Sequence, residues 1–311
     1  MTNMVATRDA YGEALKELGG LNKDIVVLDA DLSGSTKTSV FRKAYPKRFF
    51  NVGIAEQSLI GTAAGLAAAG KVPFVSTFAV FATGRAFEII RNSVCYPKLN
   101  VKIAATHAGL MVGEDGATHQ ALEDLSLMRS LPNMVVLNPA DAVEAKQCIY
   151  KAAEHNGPVY IRLGRSKVPV IFDDSYKFEI GKGVELKAGQ DITIIATGVM
   201  VEKALLAAEK LSKEGISARV INMASIKPID KDIIIKAANE TKGIVTVEEH
   251  NIIGGLGSAV AEVVVENRPT YIERIGTMDT FGESGDGNEL LEKYGLNVEN
   301  IINKAKIILS K

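Results

Sequence analysis

The feature of this sequence that most constrains its fold is the alternation of short apolar runs with longer amphipathic segments. In the first half, five apolar runs have the length and β-branched content of buried strands: 24–29, 72–77, 101–106, 134–138 and 158–163. Segments with helical periodicity stand around them, at 4–18, 78–96, 121–130 and 140–155. This order is typical of βα units, so we predict an α/β fold with a mostly parallel sheet.

The same alternation restarts after a break in the rhythm. Residues 167–189 include a proline and a charged run, and we expect a linker there that leads into a small hairpin. Beyond it, strands are predicted at 191–197, 217–222, 243–248 and 270–275. A chain of 311 residues has room for two domains of roughly 150 residues each. We therefore predict one α/β domain over residues 1–170, a linker over 171–189 and a second, smaller α/β domain over 190–311.

The composition narrows the range of functions. The formal net charge is −1, which gives no electrostatic basis for binding nucleic acid. No apolar run approaches the roughly 18 residues of a membrane span, and the first residues lack the apolar core of a signal peptide. The four histidines have no ligand spacing, and we predict no metal ligands in this chain. We expect a cytoplasmic protein that binds neither nucleic acid nor membrane.

The stretch Phe49–Gln57 is predicted to form the end of a buried strand, a turn at Gly53 and the start of an apolar helix. The turn places Glu56 just beyond the carboxyl end of a strand, where open α/β sheets hold ligands. An acid followed by an apolar helix suggests a carboxylate that faces a dry pocket. The same pattern also suits an acid that is merely favoured in the first turn of a helix. The local pattern leaves both interpretations open.

Other polar residues also follow predicted strands. Ser35 lies in the turn after the first strand, His107 ends the strand at 101–106, and Arg165 follows the last strand of the first half. Because the carboxyl ends of parallel strands share one edge of a sheet, we expect these side chains to converge on a ligand. His107 suits proton transfer or phosphate contact through a near-neutral pKa, or is a core histidine. Arg165 suits an anion contact, or is a surface arginine.

Two further segments carry candidate residues. The glycine-rich loop after His107 contains Asp115 and His119, which are either turn and capping residues or ligand contacts. Phe78 and Phe81 are three residues apart at the start of a predicted helix. That spacing is usual for a core stripe and would also suit a platform for a flat heteroaromatic ring. The turn 254–257 is similar to a dinucleotide loop but lacks the third glycine and the following acid, so we expect no nucleotide there.

These segments together resemble a known family. The stretch Asn51–Gln57 is similar to the pyrimidine-domain motif of thiamine-diphosphate enzymes. The segment from His107 to Asn133, which contains Gly113-Glu114-Asp115-Gly116, resembles transketolases, and so does Asp279–Ser284. These spaced motifs occur in order along nearly the whole chain. The sequence is thereby identified as similar to the C-terminal half of a transketolase, with a pyrimidine-binding domain over 1–170 and a transketolase C-terminal domain over 190–311.

The resemblance implies contacts to the cofactor thiamine diphosphate. Glu56 would contact N1′ of the aminopyrimidine and share a proton with it. Phe81, together with Phe78, would stack on the pyrimidine ring. Family members often carry another aromatic residue one turn later, where this chain has Ala82-Thr83-Gly84-Arg85. The register of this helix is therefore open, and Arg85 has no assigned role.

The resemblance also implies contacts to the substrate. Four residues occupy positions that hold the sugar phosphate in this family: Arg8, Ser35, His107 and Arg165. Asp115 would bind a substrate hydroxyl, and His119 would contact the carbonyl end or the C1 hydroxyl of the donor sugar. The residues expected to take part in catalysis are Glu56, His107 and His119.

The implied reaction moves a two-carbon glycolaldehyde unit from a ketose phosphate to an aldose phosphate, as in the pentose phosphate pathway. Gly285-Asp286-Gly287 resembles the thiamine-diphosphate and magnesium motif of such enzymes, but that motif belongs in a βαβ unit, for which this last segment of the chain has no room. The family's diphosphate-binding domain therefore has no counterpart here. The resemblance thus implies a split transketolase, whose N-terminal subunit holds the diphosphate and Mg²⁺ or Ca²⁺. The two chains would share the active site in a heterotetramer, and this chain alone would be inactive.

Three alternatives stay open at the level of sequence. A 1-deoxyxylulose-5-phosphate synthase has a similar loop, but its halves normally share one chain. The β subunit of a 2-oxoacid dehydrogenase is a separate chain of this length, but it would lack the His107 loop and the ending Thr280–Ser284. The third alternative is a non-catalytic binding subunit of the same fold. The intact set of four candidate site residues argues against it: Glu56, His107, Asp115 and Arg165.

Overall fold

A computed structural model describes residues 3–173 and 175–311 of the chain. These residues form fourteen strands: β1 Met4–Ala6, β2 Ile25–Asp29, β3 Phe49–Asn51, β4 Val72–Ser76, β5 Lys102–Ala105, β6 Val135–Leu137, β7 Val159–Arg162, β8 Lys167–Pro169, β9 Val184–Lys187, β10 Ile192–Ala196, β11 Ala218–Asn222, β12 Ser225–Lys227, β13 Gly243–Asn251 and β14 Tyr271–Thr277. They also form twelve α-helices: α1 Thr7–Leu21, α2 Ser33–Thr36, α3 Ser39–Ala44, α4 Glu56–Ala68, α5 Phe87–Ile89, α6 Asp124–Ser130, α7 Ala142–Glu154, α8 Met200–Lys213, α9 Lys231–Glu240, α10 Leu256–Asn267, α11 Gly287–Lys293 and α12 Val298–Leu309. Two 3₁₀ segments (Pro46–Arg48 and Leu110–Asp115) and two π-helical segments (Phe81–Arg85 and Ile90–Cys95) connect some of them.

The first sheet has seven strands in the order β12-β6-β7-β5-β4-β2-β3. All its pairs are parallel except β12 with β6. Every residue of β2 is buried, because α1 and α7 cover one face of the sheet and α4 covers the other. Strands that are buried on both faces need continuous apolar runs, which is the pattern seen in the sequence. The predicted α/β fold with a mostly parallel sheet is confirmed.

The second sheet has five strands in the order β14-β13-β10-β11-β9, of which only β9 is antiparallel to its neighbour. Helices α8 and α12 pack on one face, and α9 and α10 pack on the other. The face that carries α9 and α10 shares a continuous apolar core with the first sheet. None of the helices in the described residues is long and apolar enough to cross a membrane.

The start of the chain and the linker differ from prediction. The helix expected at 4–18 begins only at Thr7, because β1 pairs antiparallel with β8. No side chain caps that helix, and the Thr7 hydroxyl accepts the backbone N–H of Gly164 (2.8 Å). The expected hairpin is wrong as well, since β9 pairs with β11 of the second sheet. The domain boundaries at residues 170 and 190 stay a prediction.

Two features that the sequence did not predict join the halves of the chain. Strand β12 comes from the second half but extends the first sheet beside β6. Glu144, near the start of α7, is fully buried, and its carboxyl group accepts hydrogen bonds from the Tyr176 hydroxyl and from the Asn222 amide (2.7 Å). Burial raises the pKa of Glu144 to about 7. A buried carboxyl thus connects the first domain, the linker and the second sheet.

Candidate active site

The predicted site residues lie along the carboxyl edge of the first sheet. Arg8, in the first turn of α1, reaches that edge and donates hydrogen bonds to the Ser35 carbonyl (3.0 Å) and to Nε2 of His107 (3.1 Å). Five others follow successive strands of the sheet: Ser35 after β2, Glu56 after β3, Phe78 after β4, His107 after β5 and Arg165 after β7. The expected convergence at one sheet edge therefore occurs.

Glu56 is the first residue of α4, and its side chain is only 3% exposed. The turn before it requires Gly53, which has a φ of +74° and donates its N–H to the side-chain oxygen of Asn51 (3.0 Å). Strand β3 is not buried as predicted: Phe50 and Asn51 are exposed, because β3 lies at the edge of the sheet. The carboxylate is nevertheless held in a largely dry position at the start of an apolar helix.

Both oxygens of Glu56 are bound by one nitrogen of Arg85. The distances from Nη1 are 3.0 Å to Oε1 and 2.9 Å to Oε2. The Arg85 guanidinium also lies 4.7 Å from the centre of the Phe81 ring, within cation–π range. Phe81–Arg85 is π-helical, and a π-turn shifts the register that an α-helical pattern would give. Arg85 is therefore a site residue that sequence reasoning left unassigned, and only its spacing of four residues from Phe81 hinted at the contact.

Four aromatic rings form a cluster beside this ion pair. Phe78 stacks on His107 with ring centres 3.8 Å apart, and on Phe81 at 5.9 Å. His119 meets Phe81 edge-on at 5.4 Å. The structure thus brings both predicted histidines and both predicted phenylalanines together. We call Phe78, Phe81, His107 and His119 the aromatic cluster.

His107 is a neutral imidazole in this environment. A guanidinium can only donate hydrogen bonds, so Nε2 of His107 must accept from Arg8, and Nδ1 then donates to the Thr106 hydroxyl (2.8 Å). Burial, followed by the charges of Arg8 and Arg165, lowers the pKa of His107 to about 3. The expected near-neutral pKa is therefore wrong, because neighbouring cations and burial both oppose protonation. Thr106, whose hydroxyl accepts from Nδ1 in this tautomer, was also missed from the sequence.

The side chains of Arg8 and Arg165 both place a positive charge near His107. Nε of Arg8 is buried and has no hydrogen-bond partner within the described residues, so it is a donor available to an anion. Arg165 donates to Oε2 of Glu114 (2.8 Å) and lies 3.9 Å from Oδ2 of Asp115. An anion would bind here in competition with those two carboxylates. The structure therefore places Arg165 beside both Asp115 and Glu114.

Two glycine motifs in the second half have structural roles. The carboxylate of Glu248 accepts the backbone N–H groups of Leu256 (2.7 Å) and Gly257 (2.8 Å), so it fills the turn that resembled a dinucleotide loop. Asp286 caps α11 through its side chain. Among residues 3–173 and 175–311, there is no group of three or more His, Cys, Asp or Glu side chains that could hold a metal ion.

Comparisons with known proteins give the same family for both halves of the chain. The family model described as transketolase, pyrimidine binding domain, matches residues 3–170, and the model described as transketolase, C-terminal domain, matches residues 181–301. A protein of Methanocaldococcus jannaschii described as a transketolase C-terminal section is 56% identical over 297 residues, which cover 94% of this chain and 93% of that protein. A 6-deoxy-6-sulfo-D-fructose transketolase subunit of a Clostridium species is 42% identical, over 96% of this chain and 92% of that protein.

A solved structure gives the same result at the level of the fold. It is a split-gene transketolase described as an inactive β4 tetramer, with 60% sequence identity and a TM-score of 0.93. The match covers 98% of this chain and 99% of that chain. Because two family models cover most of the sequence and these relatives match it almost end to end, the chain belongs to the transketolase family and corresponds to its C-terminal section.

Proposed function

We propose that this chain is the C-terminal subunit of a split transketolase that moves a two-carbon glycolaldehyde unit from a ketose phosphate to an aldose phosphate. The observation that supports this most directly is the continuous wall of side chains at one sheet edge. It runs from the Glu56–Arg85 pair through the aromatic cluster to Arg8. The buried acid and the flat rings at one end of this wall would bind a heteroaromatic cofactor. The cations at the other end would bind a phosphate.

The residues at the Glu56 end fit the aminopyrimidine of thiamine diphosphate. Glu56 offers a shielded carboxylate, Phe81 offers a flat face, and the buried Thr77 hydroxyl beside Phe78 has no hydrogen-bond partner in the described part of the chain. When bound, the cofactor supplies an electron sink for breaking and remaking a carbon–carbon bond. Glu56 would hold a proton at N1′, and the phenylalanines would pack against the ring. The Arg85 guanidinium contacts both Glu56 and Phe81, so it would have to move away from them when the cofactor binds.

The residues at the other end fit the substrate's phosphate. Arg8 would donate its Nε–H, and Arg165 would supply a second charge once it releases Glu114. His107 would act as a neutral hydrogen-bonding group, because its pKa lies far below neutral pH. Asp115 would orient a sugar hydroxyl, and His119, at the edge of Phe81, would contact the donor's carbonyl end.

A partner subunit would complete the site. We propose that an N-terminal transketolase subunit holds the diphosphate with Mg²⁺ or Ca²⁺, in a two-plus-two assembly in the cytoplasm. The relatives described as a C-terminal section and as a split-gene transketolase support such a division. Because half of the site would lie on another chain, this subunit alone should not catalyse transfer.

The experiment is reconstitution with the N-terminal subunit, followed by a ketose-to-aldose assay and, separately, a pyruvate decarboxylation assay. We expect transfer only with both chains present. Glu56→Ala should lower the rate by about 10²–10⁴-fold. The matched control is Glu13→Ala, which removes an exposed glutamate of α1 and should leave the rate unchanged. Full transfer by this chain alone, or by the Glu56→Ala pair, would contradict the proposal.

The sugar class can be tested with the same assay. One relative is described as acting with 6-deoxy-6-sulfo-D-fructose, so a sulfonated ketose belongs in the panel beside ketose phosphates. We expect the phosphorylated donor to be preferred. Arg8→Gln should raise its KM by about tenfold while changing kcat little, because one charge-assisted contact is lost. An equal rise of KM for a ketose without a phosphate would refute the phosphate assignment.

A further inference from the structure

The loop that carries Asp115 and His119 lies against the C-terminal domain, which we define by the matched residues 181–301. Its three glycines have positive φ values of +82°, +80° and +73°, at positions 109, 113 and 116. A side chain at any of them would collide with, or press on, that domain. A Cβ atom would overlap the Glu249 carboxyl group at Gly109 and the Ser284 hydroxyl at Gly116, and it would press on the Gly285 carbonyl at Gly113 (3.2 Å).

The carboxylate of Glu249 is the buried contact at the beginning of this loop. It lies at the carboxyl end of β13, only 3% exposed, and its Oε1 accepts the backbone N–H of Met111 at 2.7 Å. The missing Cβ at Gly109 lets the carboxylate approach this closely. At the far end of the loop, the Gln120 amide donates to the Glu283 carbonyl (2.9 Å). The C-terminal domain therefore holds both ends of the loop.

A second buried charge keeps Glu249 in place. Arg162, at the end of β7, lies 3.9 Å from Oε2 of Glu249 and donates to its backbone carbonyl at 2.9 Å. The same guanidinium binds Asp124 through Nε (2.8 and 3.1 Å). Buried charges that are paired in this way are geometrically restricted, because moving any one of them leaves another uncompensated. Displacing Glu249 would therefore remove one of the two buried acids that face Arg162.

We infer that the C-terminal domain positions the substrate loop of this enzyme, and that Glu249 is the positioning residue. The inference rests on the proposed function, in which Asp115 and His119 contact the sugar. Glu249 touches no reacting atom. It fixes the backbone at Met111, four residues before Asp115. It thereby sets the positions of the Asp115 carboxylate and the His119 imidazole relative to the rings of Phe78, Phe81 and His107.

The test compares Glu249→Leu with Glu248→Leu in the reconstituted enzyme. Glu248 is the matched control: it is the preceding residue of β13, equally buried, and it binds backbone N–H groups of α10 instead of the loop. Leaving a buried N–H without its acceptor costs enough free energy for about a tenfold change in an equilibrium. We therefore expect KM for the ketose phosphate to rise about tenfold in Glu249→Leu and to change less than about twofold in Glu248→Leu. Glu249→Gln, which keeps an acceptor oxygen, should restore most of the loss.

A second measurement is independent of activity. Hydrogen exchange at residues 109–116 of the isolated chain should accelerate about tenfold in Glu249→Leu, but not in Glu248→Leu. Equal effects of the two variants on KM, or unchanged exchange in Glu249→Leu, would overturn the inference. If the wild-type pair transfers no sugar, the proposed function fails, and the exchange measurement alone decides whether Glu249 anchors the loop.

Discussion

The Glu56–Arg85 ion pair makes the sharpest prediction, because its two partners differ so much in burial. The Glu56 side chain is 3% exposed and the Arg85 side chain is 52% exposed. Replacing Arg85 with glutamine leaves a shielded carboxylate without its cation. Replacing Glu56 with glutamine only returns a half-exposed guanidinium to water. We therefore expect Arg85→Gln to destabilise the isolated chain more than Glu56→Gln does.

The magnitude follows from the burial of each partner. Breaking a fully buried pair from one side costs about 3–5 kcal/mol. Water can enter where the exposed Arg85 guanidinium stood, so the cost should fall to about 1–2 kcal/mol for a carboxylate near the surface. In the Glu56→Gln background there is no charge to strand, and Arg85→Gln should then change stability by less than about 0.5 kcal/mol.

Urea denaturation of the isolated wild type, both single variants and the double variant measures this coupling directly. The control is Lys71→Gln, which breaks the exposed Lys71–Asp24 bridge (2.9 Å) and should cost less than about 1 kcal/mol. If Arg85→Gln costs the same in both backgrounds, its effect comes from lost packing on Phe81, and the stranded carboxylate is refuted as the cause.

Three further predictions concern Arg85, His107 and Glu144. Thiamine diphosphate should bind the reconstituted Arg85→Gln enzyme several-fold more tightly by calorimetry, since no guanidinium has to be displaced; weaker binding would mean that Arg85 holds the cofactor. The pKa of His107 is lowered to about 3 in the folded chain. Between about pH 6.5 and 3, only the unfolded chain therefore protonates this imidazole. His107 should thus lower the free energy of unfolding by about 1.4 kcal/mol for each pH unit of acidification. His107→Gln should remove this contribution to the pH dependence of stability between pH 4 and 6, measured by urea denaturation at each pH. A pH dependence equal to that of the wild type would contradict the neutral imidazole. The pKa of Glu144 is raised to about 7, so its contribution to stability is fully present below about pH 4.5 and is lost as pH rises to about 7. Glu144→Gln, which keeps the carbonyl acceptor, should remove that decline between pH 5 and 7, and a parallel decline in the variant would show that another group titrates.

The framework of the fold was predictable because it depends on local pattern. Strands buried on both faces, such as β2, require uninterrupted apolar runs, and these runs are visible in the sequence. The convergence of Glu56 and His107 was predictable too, because parallel strands all end at the same edge of the sheet. Assigning roles to these residues required the family motifs in addition.

The rest depends on contacts between distant segments, which local periodicity does not encode. Strands β1 and β8 are three residues each and are paired across about 160 residues of chain, so neither stands out in a sequence window. The pairing of Arg85 with Glu56 depends on a π-helical turn. The contact between Glu249 and Met111 spans the two domains, so an acid directly after the strand predicted at 243–248 gave no reason to look for a loop as its partner.

Strand β12 has a consequence for dividing this chain. It covers one side of β6, and the Lys227 ammonium that ends it donates to the Arg129 and Leu131 carbonyls (2.8 and 2.6 Å). A fragment ending near residue 170 would expose the unpaired backbone of β6, which is a ready template for intermolecular pairing. We therefore expect the pyrimidine-binding half to aggregate when it is produced without the residues that follow.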